Sequence, residues 1–592
     1  MIKPLTQTLL DLFSDNTQYG VPVYQRPYVW TQDDHWQPLW EDVVERCERY
    51  RSGGDGATAH FLGAVVIEVN ETGPGRVREY TVIDGQQRLT SLQLLVAAFH
   101  QVAKEHDHPT SADVRKLLHN TGRHATGDLK YKVWPSRTDR RAFRAALDLD
   151  GAAVSGEANH RLVSALEFFA RQIREWVGTT GNDALGDLYD TLVGLLQVVS
   201  IQLDGSSDAQ VVFETLNSRG ADLTSLDLAK NALLRQASRE GADVESLHDQ
   251  HWEPALGDAS YWFEQVRQGR YTRERADLFL SHWLTMKLGT PPRGQHLFAD
   301  FRNKILRAVP SPPMVELLPE LCRDASVLRS FDSLDPGTPE GRFFRRLDQM
   351  DTTTLLPVAL LLFRSSDLGR EPRRRALAAL ESWLVRRMLL GATTQHYNRL
   401  LSGLLGRLNA EASLAAADAL ILEALRRFDS AADRWPTDEE VAARLTGDRL
   451  YGWISQARIR MLLEACELDL GRESGAELVT LPSGLTIEHA MPQAWENAWR
   501  LPNGLPEEEA RLEREARINR LGNLTLLTQK LNSAVSNGPW STKRLELAQR
   551  SQLLINQHLC AHDSWDEAKI DQRSRELANR ILRIWPGPEA TW

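Results

Sequence analysis

The stretch LTIEHAMPQAW, residues 485–495, sets a carboxylate and an imidazole side by side, Glu488 and His489, where an alternating apolar run ends. An imidazole takes a proton from water near neutral pH once a neighbour fixes its tautomer. A carboxylate offers a hard oxygen to Mg²⁺ or Mn²⁺. With a groove for a phosphate backbone, these are the parts that phosphodiester hydrolysis requires. A second apolar run, GNLTLLT (522–528), presents Asn523, and Asn532 follows nine residues later, early in a helix. The residues also admit a plainer reading: a strand-end histidine bonded to a backbone carbonyl, with an edge strand beside it.

Residues 511–550 carry Arg511, Arg514, Arg517, Arg520, Lys530, Lys543, Arg544 and Arg550 against Glu513, Glu515 and Glu546, a local charge of +5. Such a run is either a phosphate-facing surface or a solvated helix face. The whole chain has a net charge of -10, which argues against general coating of nucleic acid and leaves room for a local basic surface.

A second constellation lies near the other end, in REYTVIDGQQRLTSLQLLVAAF (78–99). It reads as strand, turn, helix. The strand delivers Asp84, and Gly85 permits a tight turn. Gln86, Gln87 and Arg88 fall in the first helical turn, and Leu89, Leu92, Leu95 and Val96 form its buried face. Free backbone N–H groups and the helix dipole favour an anion there, and Arg88 adds a fork of donors. Asp84 beside a phosphate calls for a bridging Mg²⁺. The alternative is a turn capped by its own polar residues. VPVYQRPYVW (21–30) is dense in aromatics around Tyr24, Gln25 and Arg26. VFETLNSRGADLTSLDLAKNALL (212–234) places Asn217 and Arg219 in a polar turn before a helix bearing Asp227 and Lys230, apt for a sugar or phosphate or for a helix N-cap.

The elements that position these residues fall into three zones. Residues 1–235 mix short strands with helices, 236–475 read as helix after helix, and 476–592 run strand, charged helix, strand, helix, with the last boundary expected at GRESGAE (471–477). A chain of 592 residues exceeds one core. The longest apolar run, 355–363, is nine residues and contains Pro357, too short to span a bilayer. The N-terminus shows no signal-peptide pattern, and the four cysteines show no metal or redox spacing, so a cytoplasmic protein without structural zinc is expected. His60, His100, His251 and His282 show no partner spacing and are assigned to structure.

YQRPYVW (24–30), HFLGAVV (60–66), IDGQQRLTSL (83–92) and FETLNSRGADLTSLDLAKN (213–231), in this order, resemble the DGQQR-motif domain related to the ParB and sulfiredoxin fold. IEHAMPQAW (487–495) and NRLGNLTLLTQKLNSAVSN (519–537) resemble the His-Asn-His-type nuclease domain often fused to it. Together they resemble the GmrSD/SspE-type family of modification-dependent restriction enzymes.

The resemblance implies an α+β multidomain chain: a ParB/sulfiredoxin-like N-terminal domain, an all-α middle and a C-terminal ββα-metal nuclease domain embedded in helices. It implies nucleoside triphosphate hydrolysis, GTP favoured, with Asp84 and Arg88 as catalytic residues. Asp84, Gly85, Gln86, Gln87, Arg88, Asn217, Arg219 and Lys230 would hold the nucleotide. It implies DNA cleavage with His489 as general base, Asn523 orienting that histidine or its loop, and Glu488 and Asn532 holding Mg²⁺ or Mn²⁺. Asn532 stands where the family name has its final His, and an amide oxygen still binds Mg²⁺. Arg517, Arg520, Lys530, Lys543 and Arg544 are the expected phosphate contacts.

The expected activity is anti-phage, with DNA modification as the switch. Sulfur in place of a phosphate oxygen is soft and poorly hydrated, so phosphorothioate suits the aromatic-walled stretch around Tyr24, Gln25 and Arg26. Tyr28 and Trp30 are expected to be core. Glucosylated hydroxymethylcytosine, or a nucleotide-binding DNA sensor with an inactive nuclease, are the alternatives. A homo-oligomer is compatible with the sequence.

Overall fold

The computed structural model describes residues 3–23, 25–53, 59–70, 72–147, 159–203, 224–268, 271–292, 296–430, 433–475, 481–496, 498–502, 505–535 and 538–592. Tyr24, Asn217 and Arg219 lie outside them. The protein is mixed α+β and 61% helical. The chain forms two compact units, Met1–Gln250 and His251–Trp592.

The first unit is built on a curled sheet of six strands. These are β1 (Lys3–Thr8), β2 (Thr17–Gly20), β3 (His60–Val69), β4 (Arg78–Asp84), β5 (Val133–Trp134) and β6 (Leu196–Leu203), in the spatial order β1-β6-β3-β4-β2-β5. β4 pairs parallel to β2 over Arg78–Thr81 and antiparallel to β3, whose Val66 stands opposite Asp84 at the strand's end. Gly85 follows with φ +89°, a left-handed conformation, and a Cβ there would press on Val65 and Ala64 of β3.

The chain then enters the helix Gln86–Glu105. Its apolar spacing predicts one buried face, yet every residue from Leu89 to His100 is buried. The helix packs against Arg161–Thr180 and Thr110–Leu118 as well as against the sheet. Of its polar positions, Ser91 lies 2.5 Å from the Tyr28 hydroxyl and Gln93 donates to the Leu117 carbonyl. Tyr28 is buried and Trp30 packs against the same core, as the aromatic stretch predicts.

The second unit is mostly helical. It also holds a hairpin, β7 (Gln265–Gln268) and β8 (Tyr271–Glu274), and the antiparallel pair β9 (Leu485–His489) and β10 (Leu524–Thr528). Leu524 stands opposite His489, and Thr525 opposite Glu488. The helix Glu507–Ile518 lies in the connection between the two strands, and Gln529–Val535 follows β10 directly. The order is strand, helix, strand, helix, as the sequence predicts.

The helical middle and the C-terminal segment share this unit because specific polar ties join them. Glu467 of helix Gln456–Glu473 accepts from the Leu554 and Ile555 amides, capping helix Leu554–Cys560. The Trp585 indole donates to Glu381, and Arg386 donates to the Trp585 carbonyl, so the chain's last helix ends against Arg370–Leu389.

Candidate functional site

Alternation along β9 sends adjacent side chains to opposite faces. Glu488 meets Lys543, whose Nζ lies 2.7 Å from Glu488 Oε1 and 2.8 Å from the His489 carbonyl oxygen. Thr486, on the same face of the strand as Glu488, accepts from the Asn532 amide at 3.1 Å. His489 points the other way. Its Nε2 lies 3.1 Å from Asn519 Oδ1, and its ring meets Tyr451 edge-on, centroids 4.6 Å apart. Burial pushes the imidazole down to about 4, the Asn519 hydrogen bond opposes that, and the nearby Lys543 ammonium adds to it. At neutral pH His489 is therefore uncharged, the form that accepts a proton.

Asn523 does not touch His489. It is fully buried and all its hydrogen-bonding capacity is engaged. Oδ1 accepts from the Met491 amide and the Trp565 indole, and Nδ2 donates to the carbonyls of Met491 and Ile518. Its backbone oxygen takes the Ala490 amide. A saturated, buried amide cannot meet a substrate. Of the two tasks expected of it, Asn523 holds the loop after His489, not the ring, and it is a positioning residue rather than a catalytic one.

At the other constellation the motif side chains reach outward to one another's segments. Gln25 donates to the Val82 and Ile83 carbonyls, and Gln86 to the Arg26 carbonyl. Gln87 accepts from the Val29 amide and donates to the Pro27 carbonyl. Arg88 donates to the Ala64 carbonyl. Gly63, with φ +104°, leaves the space for that guanidinium, since a Cβ there would lie 2.7 Å from Arg88 Nη2.

Gln87 is buried with both amide atoms engaged, and the Gln25 amide nitrogen is engaged in the same way. Gln87, an expected nucleotide contact, is scaffold instead, because buried polar groups must find partners, whereas Gln25 is half-buried and only its amide nitrogen is tied to β4. Asp84 is left half-buried with its Oδ1 accepting from the Gly85 amide. Burial holds its carboxyl above the ordinary range, while that amide, Arg88 and Arg26 draw it down. Arg26, expected to sense DNA modification, thus lies close enough to act on Asp84. Lys230 is half-buried on helix Ser225–Arg239.

Residues 9–234 match the family of GmrSD restriction endonuclease N-terminal domains, and residues 435–580 match the GmrSD C-terminal domain. The chain has a GmrSD-type restriction endonuclease architecture. No curated protein matches it. A GmrSD-type protein is a DNA endonuclease of phage defence, and DNA is its partner. Among the described residues, no helix is long and apolar enough to cross a membrane.

The GmrSD C-terminal match begins at residue 435, so it takes in Tyr451, which the sequence reading left in the helical middle. Asn519 and Gly63 are further residues that the motifs do not single out. Gly63 stands inside HFLGAVV and Asn519 opens NRLGN, so both had a signal, whereas Tyr451 had none. The basic surface of this GmrSD-type chain is the clearest correction. Lys543 is 1% exposed and bonded to Glu488, so it is internal and does not face DNA. Arg514 pairs with Glu567, Arg517 and Arg520 share Asp571, and Arg544 pairs with Asp563. Apart from Glu488, these acids come from 563–571, downstream of the basic segment 511–550. Lys530 is exposed on helix Gln529–Val535.

Proposed function

We propose that the strand-end site cleaves DNA with His489 as general base and a divalent ion, Mg²⁺ or Mn²⁺, held by Glu488 and Asn532. Lys543 holds Glu488 Oε1, so the donors such an ion would use are the other Glu488 oxygen and the Asn532 amide oxygen. The Asn532 amide nitrogen is turned to Thr486, on the strand face that Glu488 shares, so the asparagine's oxygen remains to ligate. Among the described residues, no three His, Cys, Asp or Glu cluster for a metal. Mg²⁺ commonly takes one or two protein ligands and fills the rest with water and phosphate oxygens. The ion, when bound, would neutralise charge on the phosphate and the leaving oxygen.

His489 Nδ1 takes the proton of the attacking water, and the hydroxide attacks phosphorus as the P–O bond to the leaving strand breaks. In-line displacement needs the attacking and leaving oxygens on opposite sides of phosphorus. Glu488 and His489 project to opposite faces of β9, so a phosphate at the end of that strand would have the base on one side and the acid-lined face on the other. The observation that carries this reading is the uncharged His489 held by Asn519 beside Glu488.

We further infer that the turn at Asp84 binds and hydrolyses a nucleoside triphosphate, GTP favoured, when the DNA carries a modification, phosphorothioate favoured over glucosylated hydroxymethylcytosine. What supports it is Asp84 at the N-terminus of a 20-residue helix, with Arg88 and Arg26 near enough to draw its carboxyl down. Arg26 thereby joins the aromatic stretch to the nucleotide turn.

The test measures phosphate release from GTP and ATP alongside nicking of plasmid DNA, each with unmodified, phosphorothioated and glucosylated DNA. His489→Ala is expected to lower cleavage about 10³-fold with hydrolysis intact. Asp84→Ala is expected to abolish hydrolysis and, with it, stimulated cleavage. Cleavage that survives His489→Ala overturns the nuclease assignment. Hydrolysis absent with every DNA overturns the coupling.

A further inference from the structure

Three segments far apart in sequence hold the His489 ring. Asn519, at the C-terminal end of helix Glu507–Ile518, places Oδ1 3.1 Å from His489 Nε2. The Gln493 side chain donates to that same oxygen at 2.9 Å. A carbonyl oxygen can only accept, and two donors match its two lone pairs. In this amide orientation the Asn519 oxygen faces Nε2, so Nε2 carries the donated proton and Nδ1 keeps the lone pair.

The backbone of Asn519 ties in the third segment. Its carbonyl oxygen accepts from the Leu450 amide at 2.8 Å and the Tyr451 amide at 3.0 Å. This fixes Tyr451 edge-on to the imidazole, with an interplanar angle of 74°. Gln456 donates to the Tyr451 hydroxyl at 3.0 Å, bracing the far end of the ring. One residue thus fixes both the tautomer of the histidine and the aromatic wall beside it.

We propose that Asn519 and Tyr451 are positioning residues for DNA cleavage: Asn519 selects the Nε2–H form of His489 and Tyr451 stops the ring from turning over, so that Nδ1 receives the proton of the attacking water. The proposal rests on the reading of His489 as the base. The marked asparagine of the strand motif, Asn523, holds backbone, and the orienting role passes to the asparagine four positions before it. Imidazole-orienting partners of this kind typically contribute 10–100-fold to activity.

The experiment uses the full chain labelled with ¹⁵N-histidine, with His489→Ala identifying the ring signals. Wild type is expected to show His489 as a single Nε2–H species at neutral pH. Asn519→Leu, which keeps the volume and removes the acceptor, is expected to give a tautomer mixture. It should also lower kcat for plasmid nicking about 10–100-fold, with KM for DNA little changed. Asn519→Asp retains an acceptor and is expected to restore the single species and most of kcat. Tyr451→Phe should match wild type, and Tyr451→Ala should lower kcat without changing KM.

A tautomer mixture in wild type, or Asn519→Leu with a wild-type spectrum and kcat, overturns the proposal while leaving the nuclease reading intact. Full cleavage by His489→Ala overturns that reading instead. Should Asn519→Leu fail to fold, the Asn519→Asp and Tyr451→Ala arms still decide.

Discussion

The two sites solve the same problem with different materials. Around Asp84, neutral amides do the holding: Gln25 bonds to the backbone of Val82 and Ile83, and Gln86 and Gln87 bond back to that of Arg26, Pro27 and Val29. Around His489, amides hold the ring and its loop, and charges hold the elements about them: Lys543 grips Glu488, and Arg514, Arg517 and Arg520 grip Glu567 and Asp571. Amide clamps are indifferent to salt and to pH in the physiological range. A buried ion pair is held by its low-dielectric setting and fails badly when one partner is removed. The first site is therefore a set of loops tied to one another, and the second is a rigid electrostatic assembly with one uncharged base inside it.

The sharpest way to break the comparison is to delete the buried amide at each site. Asn523→Ala strands the Met491 amide and carbonyl, the Ile518 carbonyl and the Trp565 indole. At roughly 1 kcal/mol or more for each buried group left unpaired, it should lower the stability of the second unit by about 4 kcal/mol. Gln87→Ala strands only the Val29 amide and the Pro27 carbonyl and should lower the first unit by about 2 kcal/mol. Denaturant melts followed unit by unit would show the order, and equal losses would erase the contrast.

Lys543→Met tests the electrostatic half. It leaves the Glu488 carboxylate without its ammonium and should lower stability by about 3 kcal/mol, with Glu488→Gln added on top recovering much of the loss. A double variant no better than the single would mean that Lys543 matters for its packing alone.

A pH melt sharpens the comparison further. Burial holds His282, in the second unit, at about 4 against an ordinary 6.5. Between those values the unfolded chain binds a proton that the folded chain refuses. The contribution is complete above pH 6.5 and is lost as the pH falls to about 4, by up to about 3 kcal/mol. His282→Gln should remove its share of that slope and leave the share of His489, which burial also holds at about 4. The smallest effect belongs to the first unit: Gly63→Ala must adopt φ +104° and push aside the Arg88 guanidinium, for about 1–2 kcal/mol. A thermal melt unchanged by that substitution would mean that Arg88 has another resting place.

Strand–turn–helix at 78–99 and strand–helix–strand–helix at the C-terminal end were legible because apolar periodicity and a single glycine mark them locally. The encirclement of helix Gln86–Glu105 was not, because Leu89, Leu92, Leu95 and Val96 announce one face and say nothing of the helices that cover the others. The +5 segment misled for a related reason. Its counter-charges, Asp563, Glu567 and Asp571, lie downstream, and only folding brings them over it. Spacing alone also favoured Asn523 over Asn519, since it sits in the obvious strand motif. Hydrogen-bond capacity decides otherwise, because the side chain of Asn523 has none left for a ring.

The burial of helix Gln86–Glu105 has a consequence for how this molecule can be watched. From Leu89 to His100, twelve successive residues have no face to water. Their amides can exchange hydrogen with solvent only when the first unit opens as a whole. They form an internal gauge of that unit's global stability. The same helix begins at the Asp84 turn, so any anion bound there would slow the exchange of all twelve amides by one common factor, set by its concentration relative to its dissociation constant.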